Sequence, residues 1–338
     1  MVKNTRFRST KDGVSFRGVK LHMGKLITGG LGFIGSYLAR KLLERGEEVT
    51  LFDVIPESKL IDDIKGKAKV FRGDLGNWAE VLDAVKKSRI DCIYHTGALL
   101  SAAAEENPLA AYMVNINGTF HILEAARLFG VEKVIFLSSI ASYGSGIPER
   151  VTDAAVQLPI TMYGVAKVFG ERLGEYYHRK FGINFRGVRF PSIIGPGRSG
   201  GGASAYSSLI VQEPAAGRPY EVFVDEATKM PLLYIKDAVQ SLIALAEAEE
   251  GKLRRRVYNI EGFSPTALEL ANTVKKYVPE ARIEFRPHPE MVNIVRSWPR
   301  ELDGSCAQKD WNWKSQYMLD TAVRDFVDEF RARRYLYE

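Results

Sequence analysis

The chain has 338 residues, 46% of them hydrophobic and 26% charged, which is enough apolar material for a large buried core. Its net charge of +6 gathers at the start, where Lys3, Arg6, Arg8, Lys11, Arg17 and Lys20 face a single acid, Asp12. The remainder is close to neutral and gives no electrostatic case for nucleic-acid binding, and two cysteines with five scattered histidines exclude a disulfide framework or a zinc cluster.

Residues 1–22 read as an N-terminal extension without the long apolar run of a secretion signal or a membrane span, and Met23 as a natural start. The extension is either a disordered arm or an Arg-rich targeting peptide; a cytoplasmic, metal-free protein that does not bind membranes is the default. From Lys25-Leu26-Ile27 the chain enters a short strand, then Thr28-Gly-Gly-Leu-Gly-Phe-Ile-Gly35, then an amphipathic helix from Phe33 to Arg45. Strand, glycine turn and helix in this order make a dinucleotide site. Gly29 permits the turn, Gly32 lets a pyrophosphate approach the backbone, and Gly35 lets the helix pack on the strand, with Phe33 and Ile34 at the helix start. A second strand, Glu48 to Asp53, ends in an acid about 20 residues further on, where a carboxylate binds ribose hydroxyls. Asp53 would repel a 2′-phosphate and no Arg or Lys directly follows it, so the cofactor is expected to be NAD. The alternative for Asp53 is a turn cap.

Further along, strand-like and helix-like stretches alternate. Strands are expected at Val70–Gly73, Asp91–His95, Lys133–Leu137 and Asn184–Phe190, and helices at Trp78–Lys87, Pro108–Phe129 and Thr161–Phe181. Alternation of this kind means an α/β fold, a Rossmann-type doubly wound parallel sheet with helices on both faces. The dinucleotide-binding domain is expected over 23–190. Past Pro191 the pattern breaks into a glycine-rich loop, 195–202, and shorter elements, so 191–338 is read as mainly a smaller C-terminal substrate-binding lobe interleaved with the sheet. Cys92 falls in a strand and Cys306 in a polar loop.

Tyr163 and Lys167 stand four apart on an expected helix and so project from one face. A phenol with an ordinary pKa of about 10 is a poor base near neutrality. A neighbouring ammonium, with an oxidised nicotinamide, favours the phenolate, so Tyr163 takes a hydroxyl proton while hydride leaves the same carbon. Ser139, just past its strand, sits at the carboxyl edge of the sheet, in reach of the reacting oxygen. Ser139, Tyr163 and Lys167 are therefore the candidate catalytic residues.

The whole set, with Gly73-Asp74-Leu75, Leu137-Ser-Ser-Ile-Ala-Ser-Tyr-Gly144 and Tyr163-Gly-Val-Ala-Lys167, resembles the extended short-chain dehydrogenase/reductase family from Met23 onward. That resemblance implies that Asp74 and Leu75 lie on the adenine side and that Thr96, Gly97 and Ala98 line the nicotinamide side. Asn115, Tyr163, Lys167 and Pro191 complete the cofactor contacts. His95 is expected to be a packed strand-end residue and not a catalytic imidazole. Members acting on nucleotide sugars grip the diphosphate with an Arg where this chain has Met230, which disfavours that substrate. Segments around Ala98–Pro108, Met230–Tyr234, Ser297-Trp-Pro299 and Lys309-Asp-Trp-Asn-Trp313 resemble short-chain-type L-threonine 3-dehydrogenases; Trp311 and Trp313 themselves read as core anchors. That family carries Gly-Gly-Gly-Thr-Thr-Asp-Tyr in the substrate loop, whereas Ala203, Ser204 and Ala205 stand here, and Ser207–Pro214 also resembles sugar-acid dehydrogenases of the D-erythronate type. The resulting expectation is NAD-dependent oxidation of a small hydroxy acid or amino acid, with Ser101, Ser139, Tyr163, Ser204 and Trp298 contacting substrate, in a homodimer. A nucleotide-sugar epimerase or dehydratase and a non-catalytic dinucleotide sensor are the other classes.

Overall fold

A computed structural model describes residues 24–200 and 202–338; the extension at 1–22 and Met23 lie outside the described residues. Seven strands form one sheet: β1 (Gly24–Thr28), β2 (Val49–Asp53), β3 (Lys69–Arg72), β4 (Ile90–His95), β5 (Lys133–Ser139), β6 (Asn184–Phe190) and β7 (Val257–Asn259). Their spatial order is β3-β2-β1-β4-β5-β6-β7 and every pair is parallel. Both faces are buried, and the two-residue period of a strand divides the core accordingly. Ile27, Tyr94, Ile135 and Leu137 enter one apolar cluster, while Leu26, Ile93, Val134 and Phe136 enter the other.

Helices α1 (Phe33–Glu44) and α2 (Trp78–Ser88) start and stop where local chemistry dictates. The Asn77 side chain caps α2 by accepting the Ala79 N–H at 3.1 Å, and left-handed Arg89 ends it. The single helix expected over Pro108–Phe129 is instead α4 (Pro108–Ala111), a π-helical turn at Tyr112–Asn117 and α5 (Gly118–Phe129), preceded by the unanticipated α3 (Ser101–Glu106). Side-chain periodicity tolerates a wider turn, so the sequence does not reveal it. Helix α6 (Met162–Phe181) begins at Thr161, which accepts the Gly164 N–H at 3.1 Å, and ends at Gly182 with φ +75°. Helices α2, α5 and α6 lie side by side on one face, while α1 packs against α8 (Ile235–Glu247) on the other, α7 (Tyr206–Ala215) intervening in sequence.

The C-terminal half contributes β7 to the edge of the sheet, and among the described residues three parallel two-stranded pairs flank it, two of them wholly and one half from this part of the chain. One of them, Ser192–Ile194 with Leu232–Tyr234, continues directly from β6; another, Arg150–Val151 with Glu301–Leu302, brings the segment around Trp298 over the carboxyl edge of β5. Cys306 corrects the expectation of a polar loop, since it lies in the first turn of the helix Ser305–Trp311. Trp313 is buried and Trp311 half-buried, their rings 5.7 Å apart, with Trp311 edge-on to Tyr258.

Candidate active site

The order of strands reverses between β1 and β4, and the crevice beyond their carboxyl ends is where an open parallel sheet binds ligands. A cleft of about 650 Å³ lies there. At one end the glycine turn leads into α1. Gly29 takes φ +63°, and a Cβ on Gly35 would collide with the Gly29 carbonyl oxygen, so the close approach of helix to strand needs glycine. Gly32 is the N-cap of a twelve-residue helix and supplies no side-chain cap, which leaves unpaired N–H groups facing the cleft. The Asp53 carboxylate accepts the Leu31 N–H at 3.0 Å and lines the same end with Asp74, which in turn accepts the Gly76 N–H at 2.8 Å. A glycine cradle, free helix N–H groups and a strand-end carboxylate are the donor and acceptor set of a dinucleotide with an unphosphorylated ribose.

At the other end Ser139, the last residue of β5, meets α6. A Cβ on Gly164 would collide with the Ala141 carbonyl oxygen, so α6 lies against the turn after β5 and brings Tyr163 next to Ser139. Burial pushes the Tyr163 phenol up to about 12, while its hydrogen bond with Ser139 and the Arg198 guanidinium pull the other way. Lys167 is buried, donates to the Leu137 carbonyl at 2.6 Å, and places its ammonium 5.2 Å from the Tyr163 ring centroid. Burial lowers its pKa to about 8 against the opposing charge of Glu171. The sequence points to Lys167 alone as the cation beside the phenol; in this geometry Arg198 is a second one, its guanidinium drawing the phenol down while the Lys167 ammonium lies over the ring face and donates to a carbonyl.

Behind the cleft Glu171, one turn after Lys167, is fully buried and bridges Arg189 at 2.9 and 2.7 Å, Gln157 at 3.0 Å and the Ser138 hydroxyl. Arg189 also donates to the Tyr143 hydroxyl at 2.9 Å, and Tyr143 donates to the Asn259 side chain on β7. This network fixes α6 to the ends of β5, β6 and β7. His95 is 3% exposed, with Nδ1 2.8 Å from the Thr28 hydroxyl and Nε2 3.1 Å from the Thr119 hydroxyl. Burial, then the charge of Lys167, lowers it to about 3, so it is a neutral packing residue with both nitrogens engaged.

Gly29, Gly32, Phe33, Ile34, Gly35, Asp53, Asp74, Leu75, Thr96, Gly97, Ala98 and Pro191 all line the cleft, as do Ser101, Ser139, Tyr163, Lys167, Ser204 and Trp298. Asn115 does not; it is buried and holds the Leu99 backbone through bonds of 2.8 and 2.9 Å, shaping the cleft wall from behind. Met230 is buried away from the cleft. The residue the sequence did not disclose is Arg198. It projects from the glycine-rich loop into the cleft and donates to the Ser192 hydroxyl at 2.9 Å, the Ile193 carbonyl at 2.5 Å and the Ser204 hydroxyl at 2.6 Å. Burial holds its pKa down, at about 10. A lone arginine among glycines and serines carries no periodic signal that would foretell its partial burial.

Among the described residues no three metal-ligating side chains gather, and no helix is long and apolar enough to cross a membrane. The sequence profile of the NAD dependent epimerase/dehydratase family matches residues 25–260. The mitochondrial L-threonine 3-dehydrogenase of Bos taurus is 35% identical over 307 residues, covering 90% of this chain and 81% of that protein. Among solved structures, the L-threonine dehydrogenase of Clostridium difficile superposes with a TM-score of 0.87 at 37% identity, over 92% of this chain and 98% of that one. The GalE-like L-threonine dehydrogenase of Cupriavidus necator, in its holo form, gives a TM-score of 0.86 at 33% identity, over 91% and 99%.

Proposed function

The chain belongs to the NAD dependent epimerase/dehydratase family and is an NAD-dependent oxidoreductase of the short-chain type; from that premise we propose that it oxidises a secondary alcohol beside the carboxylate of a small hydroxylated acid, as L-threonine 3-dehydrogenases do. The observation that carries this reading is the meeting of Ser139, Tyr163 and Lys167 at the end of the cleft remote from Asp53 and Asp74.

NAD, when bound, supplies the hydride acceptor. Gly29, Gly32, Gly35 and the α1 N-terminus would hold its pyrophosphate, Asp53 the adenosine ribose, and Asp74 and Leu75 the adenine side. Thr96, Gly97, Ala98 and Pro191 would flank the nicotinamide, and Lys167 the nearby ribose. The Ser139 hydroxyl orients the substrate alcohol, and Tyr163 accepts its proton as the carbon gives up hydride, leaving a ketone. Lys167 and Arg198 supply positive charge that favours the phenolate against the cost of burying it. Ser101, Ser204 and Trp298 bound the space for the rest of the substrate. L-Threonine, oxidised at C3 to 2-amino-3-oxobutanoate, is the first substrate to test, and a four-carbon polyhydroxy acid the second.

Met230, buried away from the cleft where an arginine would grip a diphosphate, argues against a nucleotide-sugar epimerase. Exposed Tyr112, Met113, Phe120, Val165, Phe169 and Tyr176, on and around helices α4 to α6, support a homodimer formed on that face. Free Cys92 and Cys306 fit a reducing, cytoplasmic setting. We divide the chain into a dinucleotide-binding part over 23–190 and a mainly substrate-binding part over 191–338 that lends β7 to the sheet. The test is initial-rate NADH formation from NAD and NADP with L-threonine and erythronate in parallel. Activity with NAD is expected; turnover with NADP alone contradicts the assignment of Asp53, and no net NADH with any hydroxy acid contradicts the reaction.

A further inference from the structure

The substrate end of the cleft is electrostatically one-sided. Lys167 and Arg198 both face it, and among the described residues no aspartate or glutamate lines it, since the carboxylates on the cleft wall, Asp53 and Asp74, belong to the opposite end with the glycine turn. Among the described residues Arg198 has no carboxylate within salt-bridge distance. Its bonds to Ser192, Ile193 and Ser204 are to neutral oxygens and occupy three of the five N–H groups of a guanidinium. They hold the plane in a fixed attitude and give its charge no carboxylate partner. A half-buried guanidinium in that condition is stabilised strongly by a carboxylate, which can accept two parallel N–H bonds. A primary ammonium in the same space would meet two cations and, among the described residues, no carboxylate, an arrangement that low dielectric makes costly.

We infer that Arg198 is the carboxylate anchor of this site and that its preferred substrates are hydroxy acids without an amino group. The inference rests on the reaction proposed above and names the substrate class within it. Ser204 and Ser192 keep the guanidinium aimed, and Ala203, which also lines the cleft, presents a methyl group and offers an ammonium nothing. The alcohol then meets Ser139 and Tyr163 with the carboxylate already paired, so the spacing between the two groups selects the acid.

The test compares kcat/KM of the intact enzyme, at saturating NAD, for 3-hydroxybutanoate, D-erythronate and L-threonine. The better amine-free acid is expected to exceed threonine about tenfold or more. Threonine equal to or better than both acids overturns the inference and leaves the proposed reaction standing, whereas no NADH from any of the three overturns the reaction itself. Calorimetric titration of the same acids into the NADH complex, where no turnover occurs, reads the anchor directly. Arg198→Gln is expected to raise the Kd of the preferred acid about 100-fold, as loss of a charge-assisted pair does, and Arg198→Lys to raise it less. An unchanged Kd in an Arg198→Gln protein that still binds NADH contradicts the assignment, and the substrate comparison stands whether or not that variant folds.

Discussion

The Lys167 ammonium lies 5.2 Å from the centroid of the Tyr163 ring, tethered at 2.6 Å to the Leu137 carbonyl at the end of β5. Burial holds the two groups in opposite directions from their ordinary values, the phenol up to about 12 and the ammonium down to about 8. Below pH 8 Lys167 stays charged and each unit of pH brings tenfold more phenolate. Above it, the gain in phenolate is offset by loss of the ammonium that favours it. The logarithm of kcat/KM for alcohol oxidation should therefore rise with a slope near one from pH 6 to about 8 and level off beyond. Lys167→Arg should carry the rise to higher pH. A profile flat between pH 6 and 8 would contradict this coupling.

Asp53 accepts the Leu31 N–H at 3.0 Å, caps its own turn by accepting the Ile55 N–H at 3.3 Å, and faces the cleft where a ribose diol would lie. Asp53→Asn keeps the shape and removes the charge. A charge-assisted hydrogen bond contributes about 1.5–3 kcal/mol, which corresponds to a KM for NAD raised roughly 10- to 100-fold. Loss of the like-charge repulsion should at the same time narrow the preference over NADP. Initial rates with both cofactors measure the two effects together, and an unchanged NAD/NADP ratio would remove Asp53 from cofactor selection.

Glu171 and Arg189 form a buried ion pair at 2.7 Å, with Glu171 wholly inaccessible. Removing one partner leaves the other charge buried and uncompensated, at a cost of about 3–5 kcal/mol. Glu171→Gln should therefore shift the urea midpoint downward by that equivalent. Because Glu171 also opposes the lowering of the Lys167 pKa, the variant should level its pH profile at lower pH. A purely structural role would move the first measurement and not the second.

The elements nearest the cleft were legible in the sequence because their signals are local. The glycine turn, the acid ending β2 and the Tyr163–Lys167 spacing each encode position within a few residues, and strands β1 to β6 fall within one or two residues of the expected bounds. What escaped depends on distant packing. Strand β7 is three residues long and becomes part of the sheet only because Val257–Asn259 pairs with β6. The π-helical turn at Tyr112–Asn117 leaves the apolar pattern of a helix intact. Arg198 looks like an ordinary loop cation until Ser192, Ile193 and Ser204 fold around it, and the bonds of Asn115 to the Leu99 backbone form only once β4 and the π-helical turn pack together.

The proposed base is the Tyr163 oxygen, and Tyr163→Phe isolates it because the ring and its packing stay while one oxygen is removed. NADH formation from the best hydroxy acid should fall at least about 100-fold, within the range that general-base catalysis contributes, with NAD affinity by fluorescence titration changed little. A Tyr163→Phe enzyme that keeps wild-type kcat while still binding NAD would contradict a phenolate base.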